Sequence, residues 1–282
     1  MIKFILITSQ RTGSTYISNH LHNHPEIAMY EEVILNQLST PGGLREFASE
    51  NKLYKVLFDI YNMGLVRRLH PKFPFYFPIN FVVRKYLENF FRRSKDYINE
   101  NNFFNSSTNK LVNEPKAIGF KLMAIHIRRI PYLKKWIVNN NDVKIIILKR
   151  KNLLEKYVSG VARYKRNIAH STKQVEKVKV KLDLIDLKNY IEKITNEYKM
   201  LDRFRKSNAS ITIYYEEFFS NLDMKINEIF KFLEIDEKLY CKKPKLKKLN
   251  TQPLEDIIEN YDEVIEYLEK HKINYIYNSI EA

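Results

Sequence analysis

Apolar and β-branched residues run together at five places along the chain, and longer segments with helical spacing separate most of these runs. Unbroken apolar runs of this kind are typical of strands buried on both faces of a parallel sheet. The predicted strands are residues 3–8, 27–30, 117–122, 143–148 and 211–215. The predicted helices are residues 14–23, 153–165, 183–204, 222–233 and 254–270, and a further helix follows residue 122 and ends near Trp136. This alternation predicts an α/β domain of three layers, with a central parallel sheet flanked by helices.

The region from about residue 40 to 115 interrupts the alternation. Closely spaced prolines at positions 71, 74 and 78 exclude a continuous helix or a central strand there. Residues 99–113 are polar and rich in asparagine, which predicts a loop. We interpret the region as a mostly helical cap inserted into a single domain, residues 1–282. Its many aromatic side chains form either the cap's own core or a groove for an acceptor.

The net charge of +15 predicts an anionic partner, which could be nucleic acid, a membrane surface, an acidic polysaccharide or a nucleotide. We expect no nucleic-acid partner, because the charge is scattered and the sequence has no zinc-finger or RNP signature. Peripheral association with a membrane stays compatible with the charge. A single cysteine, Cys241, excludes an internal disulfide, and no Cys/His cluster predicts a metal site. Without a signal sequence or a run long enough to span a bilayer, a cytoplasmic protein is expected.

The first candidate site is the turn that follows the first strand, Ser9–Gln10–Arg11–Thr12–Gly13–Ser14–Thr15. A strand that leads through a tight turn into a helix presents backbone N–H groups and the positive end of the helix dipole to an anion. Arg11 adds a planar guanidinium, Gly13 allows close approach of the backbone, and the hydroxyls of Thr12, Ser14 and Thr15 add donors. A Walker loop would require a lysine before the serine, and none is present.

The second candidate site is the turn after residues 143–148, Lys149–Arg150–Lys151, followed by Ser159 in the next helix. A Walker-type kinase would usually have a magnesium-binding aspartate at the end of such a strand. The cationic run instead predicts that this edge of the sheet binds an anion. Because the carboxyl ends of parallel strands lie at one edge, we expect both turns to face the same ligand.

The pattern Ser-x-Arg-Thr-Gly-Ser-Thr at residues 9–15 resembles the 5′-phosphosulfate loop of sulfotransferases that use 3′-phosphoadenosine 5′-phosphosulfate (PAPS). Residues 148–159 resemble the 3′-phosphate motif of the same family, especially its bacterial carbohydrate and glycolipid branch of the lipopolysaccharide and trehalose type. Residues 24–31, 119–123 and 249–264 are also similar to that branch. The cap has no recognisable match.

The resemblance implies a P-loop-like fold that transfers a sulfuryl group from PAPS to a hydroxyl of a carbohydrate or glycolipid, without a metal, and releases 3′,5′-ADP. It also implies that Arg150 and Ser159 bind the 3′-phosphate. The segment containing Tyr30–Glu31 is similar to the one that carries the family's catalytic carboxylate, so Glu31 is the expected general base, with Glu32 second. His126 is a weaker candidate base. Two further contacts are expected from lysines, Lys121 to the sulfonate or acceptor and Lys247 or Lys248 to the nucleotide. The alternative enzyme is an NTP-dependent P-loop kinase with a degenerate loop.

Overall fold

The computed structural model describes residues 1–30, 115–129, 131–166, 178–239 and 252–278, and its five strands form one parallel sheet. The strands are β1 (Ile2–Thr8), β2 (Ile27–Tyr30), β3 (Ala117–Met123), β4 (Val143–Lys149) and β5 (Ser210–Tyr214), in the order β2–β3–β1–β4–β5. In the central strand, Thr8 pairs with Met123 on one side and with Leu148 on the other. The carboxyl ends of β1, β3 and β4 therefore lie side by side. The predicted α/β class is confirmed.

Helices cover both faces of this sheet. They are α1 (Ser14–His22), α2 (Ala124–Arg129), α3 (Pro131–Asn139), α4 (Leu153–Arg166), α5 (Leu184–Asp202), α6 (Tyr215–Ser220), α7 (Leu222–Phe232), α8 (Leu254–Ile257) and α9 (Tyr261–Lys270). Alternate residues of β1 point to opposite faces. Ile5 packs in one apolar cluster with Ile137 of α3, whereas Phe4 packs in another with Leu21 of α1 and Ile229 of α7. This alternation produces the three predicted layers.

A third apolar cluster lies beside the sheet, between α4, α5, α8 and α9. The C-terminal segment closes this cluster and holds the start of α4. The Leu153 N–H donates to the Tyr275 carbonyl at 2.8 Å, and the Tyr277 N–H donates to the Lys151 carbonyl at 2.8 Å. The turn between β4 and α4 is thus fixed by residues more than a hundred positions away in sequence.

Two segments that were each predicted to form one continuous helix form two helices instead. The helix after β3 divides at Pro131, which begins α3 at the position where a missing N–H costs least. The predicted helix 254–270 divides between α8 and α9, because Ile258 is extended and forms a parallel bridge with Val180. The short helix α6 was not predicted. The predicted cap, residues 40–115, lies outside the described residues except at its last position.

Among the described helices, none combines the length and the apolar character needed to cross a bilayer.

Candidate anion-binding site

The turn after β1 is closed by its own hydroxyl groups. The Thr12 hydroxyl donates to the Ser9 carbonyl at 2.8 Å and also contacts the Thr8 hydroxyl. The Thr8 hydroxyl in turn lies 3.3 Å from the Leu148 carbonyl of β4, which joins the turn to the neighbouring strand. Thr12 and Thr8 are fully buried. The Thr12 hydroxyl therefore stabilises the turn, and its predicted contact with a ligand stays a prediction.

Two residues of the turn have left-handed backbone conformations, Arg11 with φ 62° and Gly13 with φ 74°. A non-glycine residue in this region costs about 1–2 kcal/mol, and such residues are concentrated at functional sites. Gly13 is the N-cap of α1, and its carbonyl accepts the first helical hydrogen bonds, from the N–H groups of Tyr16 and Ile17. The N–H groups that precede these have no partner within the helix, which is the arrangement that binds anions at helix N-termini in general.

A glycine is also required at position 13 for steric reasons. A Cβ atom there would lie 2.7 Å from two ring carbons of Tyr215, which is the first residue of α6. The same Tyr215 ring lies 4.4 Å from the guanidinium carbon of Arg150. Tyr215 thus packs against both predicted motifs at once, a role that no sequence pattern indicated.

The two motifs meet at Arg11. Its Nε donates to the Ser159 hydroxyl of α4 at 3.2 Å. The Arg150 Nη1 donates to the Arg11 carbonyl at 3.3 Å. Side chains predicted to bind opposite ends of one nucleotide are therefore in direct contact at the edge formed by β1 and β4. The structure brings together Arg11, Arg150 and Ser159, the three residues on which the predicted site most depends.

Arg150 is 4% exposed and is surrounded by groups of both signs. Its Nη2 lies 2.7 Å from a Glu155 carboxylate oxygen, and its Nε lies 4.0 Å from Glu216. The Nε–H is buried and makes no hydrogen bond within the described part of the chain. Burial, followed by the charges of Arg163 and Arg150, lowers the pKa of Arg11. The site thus holds arginines that repel one another, which favours the entry of an anion.

The two lysines that flank Arg150 in sequence pair with carboxylates and do not contact the turn of Arg11 in the described structure. The Lys149 ammonium is fully buried and lies 2.5 Å from an Asp202 carboxylate oxygen. The Lys151 ammonium lies 2.7 Å from Glu217. Two charges of the cationic run are therefore paired with carboxylates of α5 and α6. Arg150 is the member that reaches the turn of Arg11.

The remaining predicted residues fall into two groups. Ser14 is buried at the start of α1, and the Thr15 hydroxyl lies 3.5 Å from the ammonium of Lys121, which brings β3 into the site. His126 is buried on α2. The predicted base Glu31, its neighbour Glu32, and the predicted nucleotide ligands Lys247 and Lys248 lie outside the described residues, so their roles stay predictions.

Sequence reasoning missed Lys156, which is fully buried on α4. Its ammonium contacts the Ser9 hydroxyl and lies 3.1 Å from the Tyr198 hydroxyl of α5. Lys156 is three residues before Ser159, and residues at this spacing share one face of a helix. This spacing is the feature of the sequence that could have indicated Lys156. Its ammonium lies against the turn after β1, through Ser9.

Together these groups can hold a ligand with two anionic ends. The start of α1 and Arg11 offer donors to one end, while Arg150 and Ser159 offer donors to the other. Within the described ranges, no group of three or more histidines, cysteines or carboxylates is placed to hold a metal ion.

Comparisons with known proteins gave similarities to solved structures alone. No protein-family model matches the chain, and no curated protein matches it. A sulfotransferase from Alicyclobacillus acidocaldarius is 13% identical with a TM-score of 0.45, over 99% of this chain and 97% of that one. The sulfotransferase domain of the Synechococcus PCC 7002 olefin synthase is 13% identical with a TM-score of 0.46, over 100% of this chain and 90% of that one. Sulfotransferase STF9 from Mycobacterium avium is 14% identical with a TM-score of 0.42, over 95% and 75%. At these values, function has to be argued from the site itself.

Proposed function

We propose that the protein is a sulfotransferase that transfers a sulfuryl group from PAPS to a hydroxyl of a carbohydrate or glycolipid. One observation carries the proposal: Arg11 Nε lies 3.2 Å from the Ser159 hydroxyl, and Arg150 Nη1 lies 3.3 Å from the Arg11 carbonyl. Two turns that are well separated in sequence, and that are each predicted to bind a phosphate, are thus in contact. A nucleotide with a phosphate at each end of its ribose is the ligand that requires both.

PAPS supplies the activated sulfuryl group when it is bound. The backbone N–H groups at the start of α1 and the Arg11 guanidinium would stabilise the negative charge that develops on the leaving phosphate. Preorganised donors of this kind contribute several kcal/mol to catalysis. Arg150 and Ser159 would hold the 3′-phosphate, and a planar guanidinium suits phosphate oxygens through paired hydrogen bonds. The nucleotide is thereby fixed at both ends of its ribose.

The acceptor hydroxyl must lose its proton as the new bond to sulfur forms. We assign this step to Glu31, which follows Tyr30, the last residue of β2. A carboxylate beside another carboxylate, here Glu32, tends to have a raised pKa and serves better as a base near neutral pH. His126 is the second candidate. The carbohydrate or glycolipid class of the acceptor rests on the resemblance of residues 24–31 and 148–159 to that branch of the family.

A thermal-shift comparison of 3′,5′-ADP, 5′-AMP and ATP with Mg²⁺ tests the proposal. A ligand at a hundred times its Kd stabilises the folded state by about 2.7 kcal/mol, which is a rise in Tm of roughly 4–5 °C for a chain of this size. The proposal predicts a shift of that size with 3′,5′-ADP and a much smaller one with equal concentrations of 5′-AMP. Equal shifts with these two ligands would remove the role given to Arg150 and Ser159. The largest shift with ATP and Mg²⁺ would favour the kinase instead.

A further inference from the structure

The Lys156 side chain is connected to both candidate turns, the one after β1 and the one after β4. Its ammonium contacts the hydroxyl of Ser9, two residues before Arg11 in the turn after β1. It also lies 3.1 Å from the Tyr198 hydroxyl. That hydroxyl accepts a hydrogen bond from the Arg150 N–H at 2.9 Å and lies 3.4 Å from the Arg150 carbonyl. One side chain of α4 is therefore connected to the backbone or side chain of both turns.

The surroundings of this ammonium are unusual for a buried lysine. Its hydrogen-bond partners among the described residues are two hydroxyls, and it also faces the Tyr198 ring at 4.9 Å. The neighbouring lysine Lys149, also fully buried, instead has a carboxylate at 2.5 Å. A buried cation without a close carboxylate loses most of its hydration and gains little in return. The charge of Lys156 is therefore easily lost.

Charged groups from three elements act on Lys156, and burial outweighs them. Burial lowers its pKa to about 7. Glu197 of α5 raises the pKa, Arg150 lowers it, Glu216 of α6 raises it, and Lys193 of α5 lowers it. Tyr198 stays protonated at neutral pH, because burial raises its own pKa. Near neutral pH, Lys156 is thus divided between its charged and neutral forms.

We propose that Lys156 is a positioning residue of the donor site, which takes up a proton when a bisphosphate nucleotide binds and then holds the two turns together through Ser9 and Tyr198. The inference rests on the proposed function, because the anion that it invokes is the donor nucleotide. A bound polyanion attracts the ammonium form and so raises the lysine's pKa in the complex. The ammonium form donates to both hydroxyls, which fixes Arg150 and the turn of Arg11 relative to each other.

The sign of the pH dependence follows from this change. Well below pH 7 the lysine is protonated in the free and the bound protein, so binding takes up no proton. Between pH 7 and the higher pKa of the complex, binding takes up as much as one proton, and the affinity falls as pH rises by about tenfold per pH unit at most. A phosphate has its second pKa at about 6, so the nucleotide is itself almost fully ionised in this window.

Isothermal titration calorimetry with 3′,5′-ADP at pH 8, in buffers of different ionisation enthalpy, measures the protons taken up. We expect wild-type protein to take up a substantial fraction of one proton per nucleotide, and Lys156→Met to take up almost none. We also expect the affinity of Lys156→Met at pH 7 to be about tenfold lower, with a nearly flat pH profile up to 8.5. Lys144→Gln is the matched control, because Lys144 lies near the opposite end of β4 and pairs with the exposed Glu234.

The outcomes separate the two proposals. If no 3′,5′-ADP binds to wild-type protein, the proposed function fails. If the nucleotide binds wild-type protein without proton uptake, the inference about Lys156 fails while the proposed function stands, and this result needs no variant. Equal uptake in Lys156→Met and wild-type protein would also overturn the inference. Should Lys156→Met fold poorly, Lys156→Gln, which keeps a hydrogen-bond donor for Ser9 and Tyr198, must likewise abolish the uptake.

Discussion

Replacing Arg150 by alanine should remove most of the protein's preference for a nucleotide with a 3′-phosphate. The Arg150 side chain is almost fully buried, its Nη1 contacts the Arg11 carbonyl, and its Nε–H makes no hydrogen bond within the described residues. A hydrogen bond between charged groups contributes about 1.5–3 kcal/mol. Loss of one such bond to the 3′-phosphate therefore lowers the affinity for 3′,5′-ADP by about 10- to 150-fold. The affinity for 5′-AMP should change much less.

The variant will also lose stability, and the assay has to separate that loss from binding. Glu155, which pairs with Arg150 at 2.7 Å, has a side chain that is 25% exposed and can turn toward water. The cation–π contact of Arg150 with Tyr215, at 4.4 Å, contributes about 0.5–2 kcal/mol. We therefore expect a lower Tm but a folded protein. The ratio of the Kd for 5′-AMP to the Kd for 3′,5′-ADP, measured by calorimetry well below Tm, cancels general effects on the site.

Arg205→Ala serves as the control for a general reduction of positive charge, because Arg205 is exposed after the end of α5. It should leave the ratio of the two dissociation constants unchanged. The reasoning is refuted if Arg150→Ala keeps the wild-type ratio, whatever happens to its absolute affinities. In that case the 3′-phosphate would be bound elsewhere, or not recognised.

Three further changes test other parts of the account. Gly13→Ala should destabilise the protein by about 1–3 kcal/mol in urea unfolding, because the new Cβ meets the Tyr215 ring at 2.7 Å in a left-handed backbone conformation; an unchanged midpoint would contradict the turn geometry. Glu31→Gln should retain 3′,5′-ADP affinity and lose about 100-fold or more in transfer of labelled sulfate, and undiminished turnover would move the base to Glu32 or His126. Asn208→Ala should lower the free energy of unfolding by about 1–3 kcal/mol. The buried amide of Asn208 donates to the carbonyls of Ile137, Asn140 and Val143 at 2.9–3.2 Å. A smaller loss would mean that water satisfies these carbonyls in the variant.

The strands, and the meeting of the two candidate turns at one edge of the sheet, could be predicted because both follow from local sequence. Residues of β1 and β4 are apolar on both faces, as is typical of central parallel strands, and the residues after them carry the cationic and hydroxyl side chains of the candidate site. The carboxylates that form ion pairs with the two lysines beside Arg150 could not be predicted in the same way. Lys149 is neutralised by Asp202 and Lys151 by Glu217, more than fifty residues further along the chain. These contacts exist only after β4, α5 and α6 have come together.

The break between α8 and α9 and the burial of Lys156 also depend on tertiary contacts that local sequence does not indicate. Residues 254–270 have continuous helical spacing, but the backbone around Ile258 pairs with Val180, a competing interaction with no local signal. Lys156 lies in a helix rich in charged residues, where a lysine is ordinarily exposed. It is buried because Tyr198 of α5 and Ser9 cover it. Tertiary packing, rather than residue type, gives this lysine its role.

Binding of two positional isomers tests the central claim most directly, namely that the turns after β1 and β4 recognise the two phosphates of a single adenosine nucleotide. The isomers 3′,5′-ADP and 2′,5′-ADP carry the same charge and differ only in where one phosphate is attached. Because Arg11, Arg150 and Ser159 are held in one contacting group, we predict that the protein binds one 3′,5′-ADP per chain at least about tenfold more tightly than the 2′ isomer. Equal affinities for the two isomers would show attraction by charge alone and would contradict the account.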